Sequence, residues 1–252
     1  MGFMKCVNAT WEERNLGVKT IEVSLEKKDA SLSDEDICGQ IEDFRNNCQA
    51  KYVVVKTDTK YPRISQLLQK NKYLLIESQI GLKLTREDAK EKYELYKDVF
   101  PGISYSRVDN SQLEYVMSEI NKGIFTTDRI ALDPFFGVNT ANKRYALWVQ
   151  DEVRRGADIF FSCYNNYPIG FFLGKDLGNG NIKGLLGGIF VGENTRNYGG
   201  LYLFSSIKCF LDGTGKVDRT MVSSNNVPIL QLHLMFGRKV TNISNVFIRH
   251  FE

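Results

Sequence analysis

Histidine is nearly absent from this chain. There are two, His233 and His250, alongside five widely spaced cysteines, Cys6, Cys38, Cys48, Cys163 and Cys209. Scattered residues of these types do not make a metal-ligand cluster, so no metal site is expected. No two cysteines form a C-x-x-C pair and their number is odd. That pattern argues for free thiols in a reducing cytoplasm rather than a disulfide framework. No apolar run approaches the ~20 residues that a membrane-spanning helix needs. Met1 to Thr10 holds one lysine and no sustained apolar stretch, so a signal peptide is not expected. A basic excess is missing too. The 33 Lys and Arg face 30 Asp and Glu, a net charge of +3, with the signs interspersed. A dedicated nucleic-acid binder shows a clustered basic stripe, so nucleic acid is not an expected partner.

What is present is an ordinary globular composition, 42% hydrophobic and 25% charged over 252 residues. That length suits one large domain or two small ones. Ile21, Val23 and Leu25 alternate with polar residues, as a half-buried strand does. Ser31 to Asp34 opens a helix with Ile37, Ile41 and Phe44 on one face. Tyr52 to Val55 is a β-branched strand, Pro62 opens a short helix, and Tyr73 to Thr85 returns to strand character. A β-α-β-α-β alternation results. The charge-dense segment from Thr85 to Phe100 reads as a solvated helix or connector, closed by Pro101-Gly102. A domain boundary is placed there, giving residues 1–100 and 101–252.

In the second part a strand is expected over Ile103 to Val108 and a helix over Ser111 to Lys122. An aromatic-rich loop over Thr126 to Asn139 and a helix over Ala141 to Arg155 follow. Asp158 to Tyr164 and Pro168 to Lys175 form a hairpin through Asn165-Asn166-Tyr167. Ile182 to Val191 is a third strand, and Gly192 to Gly200 a Gly/Asn-rich loop before a helix. Lys216 to Val222 is a strand, Val227 to Phe236 a helix, and Lys239 to Phe251 holds the last strands. A glycine-rich loop entering a helix N-terminus suits an anion, because backbone N–H groups and the helix dipole converge there. Arg196 adds a full charge with planar donors. The loop is neither a Walker loop nor a dinucleotide fingerprint.

Arg196-Asn197-Tyr198-Gly199-Gly200-Leu201 resembles the [QR]-x-x-G-x-[GA] loop of the GNAT superfamily of N-acetyltransferases, with Leu201 in place of the last small residue. Leu186-Gly187-Gly188-Ile189-Phe190-Val191 looks like the family's splayed fourth strand. The segment from Asn226 to Gly237 resembles its N-x-x-A-x-x-x-Y-x-x-x-G-F element, with His233 at the Tyr position and Arg238 replacing Phe. Asp128 to Phe136, Asn142 to Val149 and Trp11 to Gly17 resemble the two-part amino-sugar enzymes of the TDP-fucosamine acetyltransferase family.

The resemblance implies an α/β protein with a mixed α+β sheet. It places the GNAT fold in the C-terminal half and a partial GNAT-like α/β domain, without a cofactor site, in the N-terminal half. It implies acetyl-CoA as cofactor, held by Ile189, Phe190, Val191, Arg196, Asn197, Tyr198, Gly199, Gly200, Leu201 and Asn226. A backbone N–H in Phe190 to Val191 is expected to meet the developing oxyanion. By position, His233 is the candidate that protonates the departing thiolate; a helix residue with a satisfied imidazole is its other reading. Phe135 and Tyr145 are the candidate acceptor contacts, and both also fit a core. No base is assigned: Glu193 sits in the phosphate loop, Asp133 in the aromatic loop, and a water chain would serve. The expected partner is a small amine, foremost a nucleotide-linked amino sugar, and pairing of two copies is left open. The rivals are a peptide, amino-acid or polyamine acceptor, and a degenerate domain that binds CoA or serves as an interaction module.

Overall fold

A computed structural model describes residues 4–192 and 198–252. The first part runs β1 (Lys5–Asn8), α1 (Thr10–Leu16), β2 (Thr20–Leu25), α2 (Asp34–Cys48), β3 (Tyr52–Asp58), α3 (Pro62–Lys70), β4 (Leu74–Thr85) and α4 (Arg86–Tyr96). The second runs β5 (Ile103–Arg107), α5 (Asn110–Asn121), α6 (Arg129–Leu132), α7 (Gly137–Arg154), β6 (Asp158–Tyr164), β7 (Tyr167–Asp176) and β8 (Asn181–Ile189). It ends with α8 (Gly199–Asp212), β9 (Val217–Ser223), α9 (Val227–Met235) and β10 (Lys239–His250).

Local chemistry sets many of the boundaries. Ser33 caps α2 by accepting from Asp36 N at 3.0 Å, and Thr85 caps α4 by accepting from Asp88 N at 3.1 Å. Asp109 and Gln112 close a reciprocal capping box on α5. Asn165 and Asn166 both take left-handed backbone, φ 49° and 68°. A two-residue turn of that hand matches the twist of the β6–β7 hairpin. Arg86, in the segment read as a solvated helix or connector, opens a helix and reaches across to the carbonyls of Phe210, Leu211, Gly213 and Gly215, so tying α4 to the end of α8. The aromatic loop is also more ordered than its composition suggests. Asp128 caps α6 inside it, accepting from Ala131 N at 3.0 Å. The charged run at Trp11 to Arg14 forms α1, because Glu12 is buried there between two arginines.

The ten strands of the described residues join one mixed sheet in the order β1-β2-β3-β10-β4-β9-β8-β7-β6-β5. Within it an architectural repeat is visible. β2-α2-β3-α3-β4 and β8-α8-β9-α9-β10 each open on a parallel strand pair joined by a long helix. The helices have 15 and 14 residues and the following strands 7 and 7. Next come helices of 9 and 9 residues with proline in the first turn, then strands of 12 and 12. The last strands are exchanged. β10 inserts between β3 and β4, and β4 lies between β10 and β9, all antiparallel.

The exchange shares the core. On the back of the sheet, Phe247 of β10 packs with Ile37, Ile41, Ile64 and Leu68 of α2 and α3. On the front, Val246 and Ile248 pack with Tyr52, Val54 and Ile130. These three β10 side chains are at most 2% exposed. Burying each contributes about 1.5–3 kcal/mol. Among the described residues no helix is long and apolar enough to cross a membrane.

Residues 1–100 expressed alone lack the strand that fills the space between β3 and β4. The fragment is expected to show no cooperative thermal transition by circular dichroism, whereas the full chain unfolds in one. A sharp transition in the fragment would show that β10 is dispensable to the first core.

Candidate active site

β8 and β9 begin as a parallel pair and then part. Only Asn181↔Val217, Ile182↔Asp218 and Lys183↔Arg219 are in register. The cause lies on the other edge of β8, where Gly174 pairs with Gly184 and Leu173 with Leu186, so Leu185 is an extra residue. A bulge bends its strand and increases the local twist. Above it β8 follows β7 and leaves β9. The equivalent pair β2–β3 stays zipped from Thr20↔Tyr52 to Leu25↔Thr57.

The backbone along the gap is available to a ligand. Phe190 donates its N–H to Ile169 O at 2.9 Å, across to β7. Antiparallel residues alternate in direction, so Gly187 and Ile189 turn their N–H groups toward the gap. This corrects the expectation that Phe190 or Val191 supplies the oxyanion donor. Phe190 is occupied and its ring is buried in the core with Phe161 and Phe171, and Val191 lies past the strand end. Gly187 and Gly188 are glycines because both faces of the strand are tightly approached. A Cβ on Gly187 would stand 1.7 Å from the Tyr202 hydroxyl, and one on Gly188 2.8 Å from Ile124.

On the back, α8 and α9 flank the gap. Gly199, Gly200 and Leu201 open α8 behind the N-cap Tyr198, with no side-chain cap on their N–H groups. Gly199 has a packing reason as well, since a Cβ there would meet Leu232 of α9 at 2.6 Å. Arg196, Asn197 and Glu193 lie outside the described residues. Asn226 caps α9, its Oδ1 accepting from Ile229 N at 3.4 Å, which leaves its amide N–H groups for the cleft that it lines. His233 lies deeper, at 9% exposure. Burial, and then Arg238, push its pKa down to about 3. It is therefore a neutral imidazole at physiological pH. Arg238 is ion-paired with Asp218 of β9. Yet His233 Nδ1, Asp218 Oδ1 and Arg238 Nη1 have no partner among the described residues. Tyr202 is the side chain that sequence reasoning missed on this side. Burial raises its hydroxyl above the usual phenol range, so it stays protonated.

The gap opens through the sheet into a front cleft, one continuous space of about 1520 Å³. Its front walls come from both parts of the chain, with Glu77 and Gln79 on β4, Ser223 on β9, and Tyr145 and Trp148 on α7. Below them runs an ion network. Glu12 takes Arg129 and Arg144, and Arg129 also reaches Glu22 at 2.6 Å. Burial works against the Glu22 carboxylate, but Arg129, Lys56 and Arg144 together hold its pKa down at about 2. Tyr145 stands in the cleft with Phe125 at 4.5 Å between ring centroids. Phe135 is not brought there. It is 68% exposed and stacks on His250 at 4.7 Å, while His250 pairs with Asp133 at 2.8 Å. Glu77 had no sequence signal, because its strand lies far from every motif. Among the described residues no group of three or more His, Cys, Asp or Glu side chains is placed to hold a metal.

No family model matches the sequence, and no curated protein matches it. Solved structures do resemble it. A GCN5-related N-acetyltransferase from Sphaerobacter thermophilus superposes with a TM-score of 0.62 at 12% identity, over 98% of this chain and 76% of that one. A functionally unknown conserved protein from Staphylococcus epidermidis ATCC 12228 gives 0.61 at 9%, over 93% and 85%. A tandem GNAT protein from the clavulanic acid biosynthesis pathway gives 0.58 at 11%, over 92% and 75%. The likeness is one of fold, a mixed α/β sheet in the two-part GNAT arrangement.

Counted from the helix prolines, His233 occupies the place that Leu67 has in the first repeat. Its folded pKa of about 3 lies below the 6.5 of an ordinary histidine, so acid protonates the unfolded chain first. Stability carried by the neutral ring is complete above pH 6.5 and is lost as pH falls toward 3. The loss is about 2 kcal/mol by about pH 5. His233→Leu is expected to flatten this part of the stability–pH curve in urea titrations. An unchanged slope would mean that His233 is already protonated in the fold.

Proposed function

We propose that the chain is an acetyl-CoA-dependent N-acetyltransferase acting on a small amine, with a nucleotide-linked amino sugar as its acceptor. The observation that carries this reading is the gap between β8 and β9, edged by inward N–H groups and open to a cleft on each side of the sheet. An extended, amide-bearing chain fits such a gap as an added strand, with main-chain hydrogen bonds giving affinity. The start of α8 suits the pyrophosphate, with Tyr198, Gly199, Gly200 and Leu201 offering backbone N–H groups and Arg196 and Asn197 preceding them. When bound, acetyl-CoA supplies an activated acyl carbonyl.

The residues divide the remaining work. Gly187 and Ile189 N–H groups are placed to hold the developing oxyanion. The Tyr202 hydroxyl rests in the gap against Gly187 and donates a hydrogen bond to negative charge on sulfur. Full proton transfer from it is unfavourable, because a phenol with a raised pKa holds its proton more tightly than a thiol near 8.5. His233, neutral, supplies a second hydrogen bond rather than a full proton. In the front cleft, the faces of Tyr145 and Trp148 suit the base of a nucleotide carrier. A cytoplasmic setting, where acetyl-CoA is present, belongs to the proposal.

The test is calorimetric titration with acetyl-CoA, followed by thiol release with a panel of amines. The panel holds glucosamine, a TDP-linked amino sugar, lysine, spermidine and a glycyl peptide. Micromolar binding and fastest turnover of the nucleotide sugar are expected. Arg196→Ala is expected to weaken binding about 10–100-fold, the worth of one charge-assisted hydrogen bond. No binding at millimolar acetyl-CoA would leave a degenerate module.

A further inference from the structure

Glu77 is a carboxyl at 5% exposure on the floor of the front cleft. Its strand, β4, belongs to the first repeat, but the exchange seats it against β9. Gln79 pairs with Ser223 and Gly81 with Met221. Neighbouring strands lie about 4.8 Å apart, so the front face of β4 is one strand from the gap. Glu77 Oε1 accepts from Gln79 Nε2 at 3.1 Å. Its Oε2 has no partner among the described residues, and neither has Gln79 Oε1. Ser223, beside them, donates its hydroxyl to Thr127 O at 2.8 Å.

Two buried acceptors of one kind are thus left without donors, in a cleft wall. The charged groups around them are Asp128 and Arg129 at the start of α6, Lys56 on β3 and Tyr145 on α7. Arg129 Nη2 donates to Glu12 and Glu22, while its Nε has no partner among the described residues, and Lys56 pairs with Glu22 at 3.8 Å. What the two orphan oxygens lack is a cation with several N–H groups. A primary ammonium carries three.

We propose that Glu77 and Gln79 form the amine subsite, binding the acceptor as a primary ammonium whose proton Glu77 removes. This rests on the acetyltransferase reading. An ammonium N–H bond breaks and its proton passes to the Glu77 carboxylate. The freed lone pair forms a C–N bond at the thioester carbonyl carbon, and the C–S bond breaks. The surplus proton on the attacking nitrogen goes to the departing sulfur, leaving an amide and a thiol. Glu77 returns its proton to water in the open cleft. Burial raises the Glu77 carboxyl above its ordinary range, against the opposing pull of Arg129, and so makes it a better base; Ser223 is within reach of the carboxylate, but its single hydroxyl proton is given to Thr127 O. The first repeat, which holds no gap of its own, thereby supplies part of the reacting centre.

The test uses the full chain and the panel amine with the highest kcat/KM. Glu77→Gln keeps the shape and removes the charge. It is expected to leave acetyl-CoA affinity unchanged and to melt no lower than the parent, since the group it replaces is destabilised by burial. Its kcat/KM is expected to fall about 10²–10⁴-fold, and the acid limb of the pH profile to disappear. Parental kcat/KM, or an unmoved acid limb, overturns the assignment while the transferase reading stands. If Glu77→Gln does not fold, the profile of Glu77→Asp decides: a displaced acid limb supports the subsite and an unmoved one overturns it. A parent chain that releases no thiol with any amine overturns both readings.

Discussion

The pairing of β10 with β3 on one side and β4 on the other holds the two repeats in a single sheet. Strand ladders need every backbone group opposite a partner, and the facing edges of β3 and β4 have none until the last strand arrives between them. Val53 and Val55 on β3, and Phe247 on β10, belong to one buried cluster. The first repeat is therefore completed by residues almost two hundred positions away. Such non-local closure is entropically costly and slow to form. Its return is geometric, because the same exchange that completes the first core brings β4 to the edge of the second repeat's gap.

Buried polarity is distributed in two ways around that gap. Under the front cleft, Glu12, Glu22, Arg129 and Arg144 are tied to one another through ion pairs, with one nitrogen, Arg129 Nε, left without a partner among the described residues. A buried charge left without its partner is strongly destabilising, so this network fixes α1, α6 and α7 against the sheet. Beside the gap the pattern is different. His233, Asp218 and Arg238 on the back, and Glu77 and Gln79 on the front, each keep an atom without a protein partner. Unpartnered buried groups are rare in folded chains because they lose hydration and regain nothing. Five of the ten such side chains among the described residues lie on the two sides of one opening, an arrangement that suits a polar ligand.

Much of the fold is legible in local sequence. Alternation marks β2, the β-branched run marks β3, Pro62 and Pro228 start their helices, and Asn165-Asn166 marks the hairpin. Capping chemistry and side-chain period act within a few residues, so a one-dimensional reading reaches them. The Gly187-Gly188 pair and the Gly199-Gly200 helix start, read through their likeness to the GNAT superfamily, also singled out β8, the strand that parts from β9. The reading was less successful where polar residues are buried by distant partners. α1 was read only as a resemblance because Glu12 looks like a surface residue until Arg129 and Arg144 are set against it.

What the sequence by itself determined is the identity and order of most elements and the likeness of the second half's loop and strand pattern to one known fold. The tertiary structure alone decided that Leu185 is a bulge, that β8 therefore leaves β9, that Phe190 spends its N–H on β7, and that Phe135 stands outside the cleft while Tyr145 stands inside it. It alone placed Glu77 beside the gap. Each of these depends on strand register between residues far apart in the chain. Register is set by the collective packing of both sheet faces, and no local propensity encodes it.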